Sequence, residues 1–305
     1  MKKVISLIIL SALLLGCSTD ESRQRLSRAQ RLQQMRADSA ALKVAVMPTI
    51  DCLPLFVARE SGLFDTLKVD VRLRYFHAQM DCDTALAGSS VEMGVTDLVR
   101  AERLRRQGVS LDYLFATNPR WQLIANRLAR IRQLKQLDDK MVAMARLSAT
   151  DLLSDKAVDS AGLKSERVFK VQMNDVNLRL NMLLNNEMDA LWLPEPQATI
   201  ARLQRHKVLM DATRMDWLMG AFAVRTDRTA DSARQQQIER LLMAYDRACD
   251  SINKHGAAHY AKLMENRWKL KVNTLARLPK EIRFERRCAP REQDLQRARQ
   301  WLDRQ

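Results

Sequence analysis

Glycine is scarce in this 305-residue chain, with only 8 in all. Neither GxGxxG nor GxxxxGK[ST] occurs, which disfavours a dinucleotide or nucleotide phosphate loop and leaves no cofactor implied. Aromatic residues make up 5%. No dense basic run interleaves with them, so nucleic acid is not the expected partner even though the formal charge is +15. No stretch approaches the roughly 18 consecutive apolar residues of a membrane-spanning helix. His255 and His259 have the spacing of a zinc-protease helix, but Gly256, Ala257 and Ala258 stand between them and the general base is missing. No GxSxG is found, and the remaining histidines and carboxylates assemble into no catalytic set. What is present is 47% apolar residues, enough to bury real cores, over a length that corresponds to about two domains. Cysteines number 5, an odd count.

The first residues bear on that odd count. Lys2 and Lys3 form a basic start, and Val4 to Leu15 is an apolar run of about twelve residues, shorter than a bilayer span. Gly16 and Cys17 follow. This is the pattern of a secretory signal. With cysteine placed after a small residue, it resembles a bacterial lipobox. The resemblance implies a leader over 1–16, diacylated Cys17 as the mature N-terminus, and a lipidated polar tether over 17–41. It also implies a cell-envelope location, on the periplasmic face or the outer surface. Two or three acyl chains hold a protein stably to a membrane. Loss of Lys2 and Lys3 takes the charge from +15 to +13, and the remaining, dispersed arginines read as solvated helix faces or, beside the anchor, as an attraction to anionic lipid headgroups.

From residue 42 onward, strands and helices alternate. Leu42–Met47 reads as a strand, Pro54–Ser61 as a helix stopped by Gly62, and Val69–Phe76 as a strand of period two. A helix from Asp81, a strand at Glu92–Val95, a helix at Thr96–Gln107 and a strand at Leu111–Ala116 follow. The rhythm returns with strands at Met141–Ala145, Val168–Met173, Asp189–Leu193, Lys207–Met210 and Gly220–Arg225. Helices follow Ser148, Asp175 and Pro196. Ile238, Leu241, Leu242, Tyr245, Cys249 and Ile252 mark an amphipathic helix in a helical tail. Strands alternating with helices predict βαβ units and mostly parallel sheets.

Several of these segments carry a family resemblance. Pro48–Phe64 (PTIDCLPLFVARESGLF) resembles the opening segment of the nitrate, sulfonate and thiamine-precursor group of type II periplasmic binding proteins. Val69–Val71, Ala85–Gly88 and Glu92–Asp97 match the group's following elements in order. Leu134–Leu147 resembles the segment that enters the second lobe, with Asp139 where glycine is usual. Asp189–Pro196 resembles the segment near the return crossing. The resemblance implies an α/β protein of two lobes, each a mostly parallel sheet flanked by helices. Lobe I would comprise 42–117 plus 215–305, and lobe II 118–214. It implies a monomer that captures a small-molecule solute between the lobes and delivers it to an ABC permease and its ATPase, with the lipid anchor at the membrane. Two alternatives stay open. One is an enzyme of the same fold, from pyrimidine, thiamine or menaquinone biosynthesis, which the lipobox disfavours. The other is an accessory or sensory lipoprotein with a degenerate cleft.

Ligands of open α/β sheets bind beyond the carboxyl ends of the strands. The candidates are therefore Thr49, Asp51, His77, Gln79, Asp81, Thr96 and Asp97 in the first half. In the second half they are Ser148, Thr150, Asn174, Asp175, Glu195 and Trp217, the last as a stacking platform. Asp81, Thr96, Ser148 and Asp175 are equally good helix N-caps. The clustering of Asp51, Asp81, Asp97, Asp175 and Glu195 predicts an acidic cleft and favours an amino-bearing ligand, such as an aminopyrimidine, over a sulfonate. With Cys17 lipidated, four cysteines remain in an oxidising compartment. Their positions predict disulfides Cys52–Cys82 and Cys249–Cys288. The rival is a soft-metal site of Cys52, Cys82 and His77, one donor short of the usual zinc set.

Overall fold

The computed structural model describes Leu32, Gln33, Arg36 and residues 38–305. The leader, Cys17 and most of the tether lie outside the described residues. The chain divides into two units, Met1–Ala40 and Ala41–Gln305. In the first, the described residues are helical. The second holds the strands.

Ten strands run in chain order as β1 (Leu42–Val46), β2 (Val71–Tyr75), β3 (Met93–Asp97), β4 (Leu111–Thr117), β5 (Gln122–Ala125), β6 (Lys140–Met144), β7 (Val168–Gln172), β8 (Ala190–Leu193), β9 (Lys207–Asp211) and β10 (Gly220–Arg225). They form two mixed sheets of five strands, ordered β2-β1-β3-β10-β4 and β7-β6-β8-β5-β9. In each sheet, one strand supplied from the other side of the chain crossing runs antiparallel to its neighbours. It is β10 in the first sheet and β5 in the second. The remaining pairs are parallel. The central strands β3 and β8 are buried on both faces and β1 at all but Lys43, and β8 reads as a continuous apolar run. Edge strand β2 alternates, as one open face requires.

The helices that flank the sheets and border the cleft are α1 (Leu53–Glu60), α2 (Gln79–Ala87), α3 (Leu98–Arg106), α4 (Ala149–Ala161), α5 (Val176–Leu184), α6 (Gln197–Leu203), α7 (Ser232–His255), α8 (Ala261–Trp268) and α9 (Glu292–Leu302). Helix α7 presents Ile238, Leu241, Tyr245, Cys249 and Ile252 to the core, the stripe that its three- and four-residue spacing demands. The core of the second sheet centres on fully buried Trp192, whose indole N–H donates to Ser154 Oγ at 2.9 Å. A third cluster joins the two sheets. Leu98, Val99, Ala149 and Leu152 pack against Leu295, Ala298 and Trp301 of α9. Trp301 Nε1 also donates to Asp155 of α4 at 2.8 Å.

Asp139 precedes β6 at φ +59°, in the left-handed region that favours glycine, and its N–H donates to Arg167 O at 2.7 Å. Aspartate tolerates this conformation better than most residues. Strand β5 has no counterpart in the sequence reading. It is a four-residue segment between Pro119 and the turn at Asn126, too short to show a period. None of the described helices is long and apolar enough to cross a membrane.

Candidate functional site

The carboxyl ends of β1 and β3 face those of β6 and β7 across a narrow cleft. Main-chain groups cross it directly. Ile50 N–H donates to Glu195 O at 2.8 Å, and Ala78 pairs with Asp175 as an isolated bridge. Gln197 Nε2 donates to Pro48 O at 2.8 Å. Between these contacts lies a cavity of about 40 Å³. Thr49, Asp51, Gln79, Thr96, Asp97 and Arg100 line it from the first sheet, and Ser148, Thr150 and Arg179 from the second, with Trp121, Pro119 and Pro194 at the crossings. A water needs roughly 10–15 Å³ of such space, so about three waters or one small oxyanion fit.

The cavity wall is charged and buried. Asp51 is buried, and its Oδ2 accepts from Thr117 Oγ1 at 3.2 Å while Oδ1 has no protein partner. Burial pushes its carboxyl above the ordinary value. Asp97 Oδ1 accepts two main-chain N–H groups at 3.0 Å each, from Arg100 of its own helix and from Ala149 at the start of α4. Burial pushes the Asp97 carboxyl up to about 6, against the opposing pull of Arg100 and the two N–H groups. Arg100 pairs with Asp83 and lies 3.8 Å from Asp97 Oδ2, but its Nε makes no hydrogen bond.

Arg179 differs from Arg100. Its Nη1 donates to Trp192 O at 2.7 Å, its Nε has no partner, and among the described residues it forms no ion pair. Burial lowers its pKa to about 10, and Arg100 on the opposite sheet adds to the effect by repulsion. Two guanidinium groups thus approach from the two sheets with an unused Nε each. Arg100 is neutralised by Asp83 and Asp97, but Arg179 is not, and an unpaired buried cation is costly, so an anion beside Arg179 would relieve it.

Of the residues expected at strand ends, Thr49, Asp51, Gln79, Thr96, Asp97, Ser148 and Thr150 line this cavity. The others stand elsewhere. His77 is exposed and meets Tyr75 edge-on, and Asp81 is exposed on α2. Asn174 lies 3.9 Å from Met80 Sδ. Asp175 caps α5, accepting from Asn177 and Leu178. Glu195 is buried under α6, engaged by Thr199 and Arg202. Trp217 packs beneath the Arg297 guanidinium, and Trp121 is the indole at the cavity.

The expected acidic cleft is therefore corrected. Only Asp51 and Asp97 of the five carboxylates reach the cavity, and two arginines face them. Sequence reasoning missed both arginines. A usable signal existed for Arg179, which falls on the buried stripe of Val176, Leu180 and Leu183 at helical spacing.

The expected disulfides are also corrected, since Cys52, Cys82, Cys249 and Cys288 are free thiols. Cys52 Sγ accepts from Met47 N–H at 3.4 Å and from Thr49 Oγ1 at 3.6 Å, which ties it into the turn after β1. Cys249 points into the core from α7. Cys288 is exposed at the rim of a second, larger space of about 670 Å³, lined by Arg120, Asp216, Tyr245, Phe284 and Arg286 among others. Asp51 lines both spaces, and its partner Thr117 lines the larger. Among the described residues, no group of three or more His, Cys, Asp or Glu is placed to hold a metal ion.

The family model described as NMT1/THI5 like matches residues 49–257. No curated protein sequence matches the chain. Solved structures do. The periplasmic aliphatic sulphonate binding protein SsuA from Escherichia coli superposes with a TM-score of 0.70 at 17% identity, over 87% of each chain. The alkanesulfonate-binding protein SsuA from Xanthomonas axonopodis pv. citri, bound to MOPS, gives 0.68 at 14% identity, over 85% of this chain and 84% of that one. The periplasmic nitrate-binding protein NrtA from Synechocystis PCC 6803 gives 0.66 at 13% identity, over 77% and 68%.

Proposed function

The chain belongs to the NMT1/THI5-like family, and from that premise we propose that it is the solute-binding component of an ABC importer. Its fold is that of the periplasmic binding proteins with which it superposes. In this reading, lobe I is 42–117 plus 215–305 and lobe II is 118–214, and the two close on a small polar solute. Cys17 carries the lipid that holds a monomeric protein in the cell envelope beside its permease and ATPase.

One observation supports the reading above the others. A buried polar cavity is lined from both sheets, and it holds three polar atoms without partners: Asp51 Oδ1, Arg100 Nε and Arg179 Nε. A protein interior leaves such atoms unpaired only rarely, and a solute is a natural partner for them. Contacts made to both lobes at once favour the closed state, and that is how a binding protein couples capture to closure.

The direct test is mass spectrometry of small molecules that co-purify with the native protein. A polar solute bound to the wild type and absent from Arg179→Ala supports capture. The anchor is tested by Cys17→Ala, which should move the protein from the membrane to the soluble fraction.

The small volume of the cavity favours a second reading, an accessory lipoprotein whose cleft no longer takes a transported solute. It predicts no co-purified molecule and no stabilisation by any added solute.

A further inference from the structure

Helix α4 of the second sheet begins at Ala149, and its 13 residues give it a full N-terminal partial positive charge. Its own cap, Ser148, accepts the N–H of Thr150 at 3.0 Å. The N–H of Ala149 is taken by a residue of the first sheet, as Asp97 Oδ1 accepts it at 3.0 Å. A helix N-terminus is a ready anion site. Here a carboxylate of the protein already sits on it. A second, independent observation points to an external ligand at the same place. Arg179 is 3% exposed and lines the cavity with an unpartnered Nε and no ion pair among the described residues.

Resting on the solute-capture reading, we propose that Asp97 is an internal competitor for the anion site of the cleft. Its carboxylate holds α4 against the first sheet. A small oxyanion solute is captured by displacing that carboxylate from Ala149 and bonding to the free guanidinium edge of Arg179. The displaced carboxylate stays within reach of Arg100, on its own helix, so its charge is not stranded. The device makes capture selective. A neutral solute cannot replace a carboxylate on a helix N-terminus.

The groups facing Asp97 set its response to pH. Arg100 on α3 favours its ionised form, and Asp83 on α2, itself bonded to Arg100 and Arg103, opposes it. Asp51 and Arg179 share the cavity, and Asp151 in the first turn of α4 is engaged by Lys170. Burial raises the Asp97 carboxyl to about 6. Protonation removes the competing charge, so oxyanion capture strengthens as pH falls through this range.

The test is isothermal calorimetry on the full chain, with sodium methanesulfonate and sodium nitrate as probes at constant ionic strength. Asp97→Ser keeps a side-chain cap for the Arg100 N–H and removes the charge, and Asp97→Ala serves as the second variant. At pH 7.5, both variants should bind a probe at least about tenfold more tightly than the wild type. The wild type should gain roughly fivefold or more between pH 7.5 and 5.5, and the variants should show no such gain.

Equal affinities without pH dependence would overturn the proposal. So would loss of binding in the variants, which would make Asp97 a solute-holding group instead. Probes that bind neither variant would also overturn it, because the vacated site would then have no affinity for oxyanions. The capture reading is judged separately by the co-purified solute. A neutral or cationic solute there, with no oxyanion binding, removes the competitor and keeps the capture.

Discussion

Asp97 and Ala149 are 52 residues apart in sequence and joined by one hydrogen bond of 3.0 Å, from a main-chain N–H of the second sheet to a carboxylate of the first. The same oxygen caps α3. One side chain therefore ends β3, starts its own helix and starts a helix on the other sheet. With Ile50 to Glu195 and Gln197 to Pro48, it makes the closed cleft a hydrogen-bonded unit rather than two surfaces in loose apposition. Opening it would expose the buried carboxylates of Asp51 and Asp97 and the guanidinium groups of Arg100 and Arg179 to water, which would lower their desolvation cost. The apposition of the two sheets is thus held by these polar contacts together with the apolar cluster around α9, and opposed by buried charge.

The sign of the pH effect on stability is set by Asp97. Its folded-state carboxyl titrates at about 6, above the ordinary carboxylate value, so the folded protein holds this proton more tightly than the unfolded chain. The associated stability is fully present below about pH 4 and is lost as pH rises through about 6. Urea unfolding of the wild type and Asp97→Asn should show the wild-type advantage shrinking from pH 4 to 7, by up to about 3 kcal/mol. An advantage that stays level or grows over this range would contradict the burial described.

The two cavity arginines should respond in opposite ways to the same substitution. Arg100→Met leaves Asp83 and Asp97 buried without their cation and should cost about 3–5 kcal/mol. Arg179→Met removes a buried guanidinium that forms no ion pair among the described residues, at the loss of one hydrogen bond to Trp192 O. It should leave stability unchanged or raise it by about 1 kcal/mol, and it should lose any stabilisation by oxyanions. Paired urea titrations with and without methanesulfonate check both statements. Equal destabilisation by the two substitutions would show that Arg179 is a structural group.

The alternation of strands and helices was legible because each carries its own period. The buried runs of β1 and β3 and the two-residue alternation of β2 can be read without the fold. The residues at the strand ends were legible as a class, but their fates were not. Asp175 and Glu195 resemble Asp51 in sequence context, yet helix N–H groups and Arg202 engage them, while Asp51 Oδ1 is left bare. That difference depends on which side of a helix start faces the other sheet, and no local pattern encodes it. Arg179 was readable in principle, as a charge on an apolar stripe. Arg100 was not, because nearly every residue of α3's first turns is buried.

Gly220 tests the crossing between the sheets. A Cβ there would lie 2.6 Å from the Thr117 carbonyl oxygen and 2.8 Å from Pro119 Cδ, and main chain at a crossing cannot move aside cheaply. Gly220→Ala should destabilise by about 2–3 kcal/mol. Gly94 is the control. Its Cβ would meet Ala45 Cβ and Leu86 Cδ1 at 3.2 Å, and the leucine can adjust. Gly94→Ala should therefore cost less than Gly220→Ala in the same urea titration, and the reverse order would contradict the strand contacts at the crossing.

The cysteines give a labelling experiment with a countable outcome. Thiolate is the reactive form, and burial raises the thiol pKa of Cys52 and Cys82 and takes that of Cys249 to about 12. Cys288 is exposed. Native protein, purified without reductant and treated briefly with a maleimide at pH 7.5, should gain one label, at Cys288. The same protein unfolded in guanidinium should label at all four positions. Two labels at Cys249 and Cys288 alone after unfolding would mean that Cys52 and Cys82 are bridged in the cell envelope. The turn after β1 would then have to release the Met47 and Thr49 contacts that Cys52 now accepts.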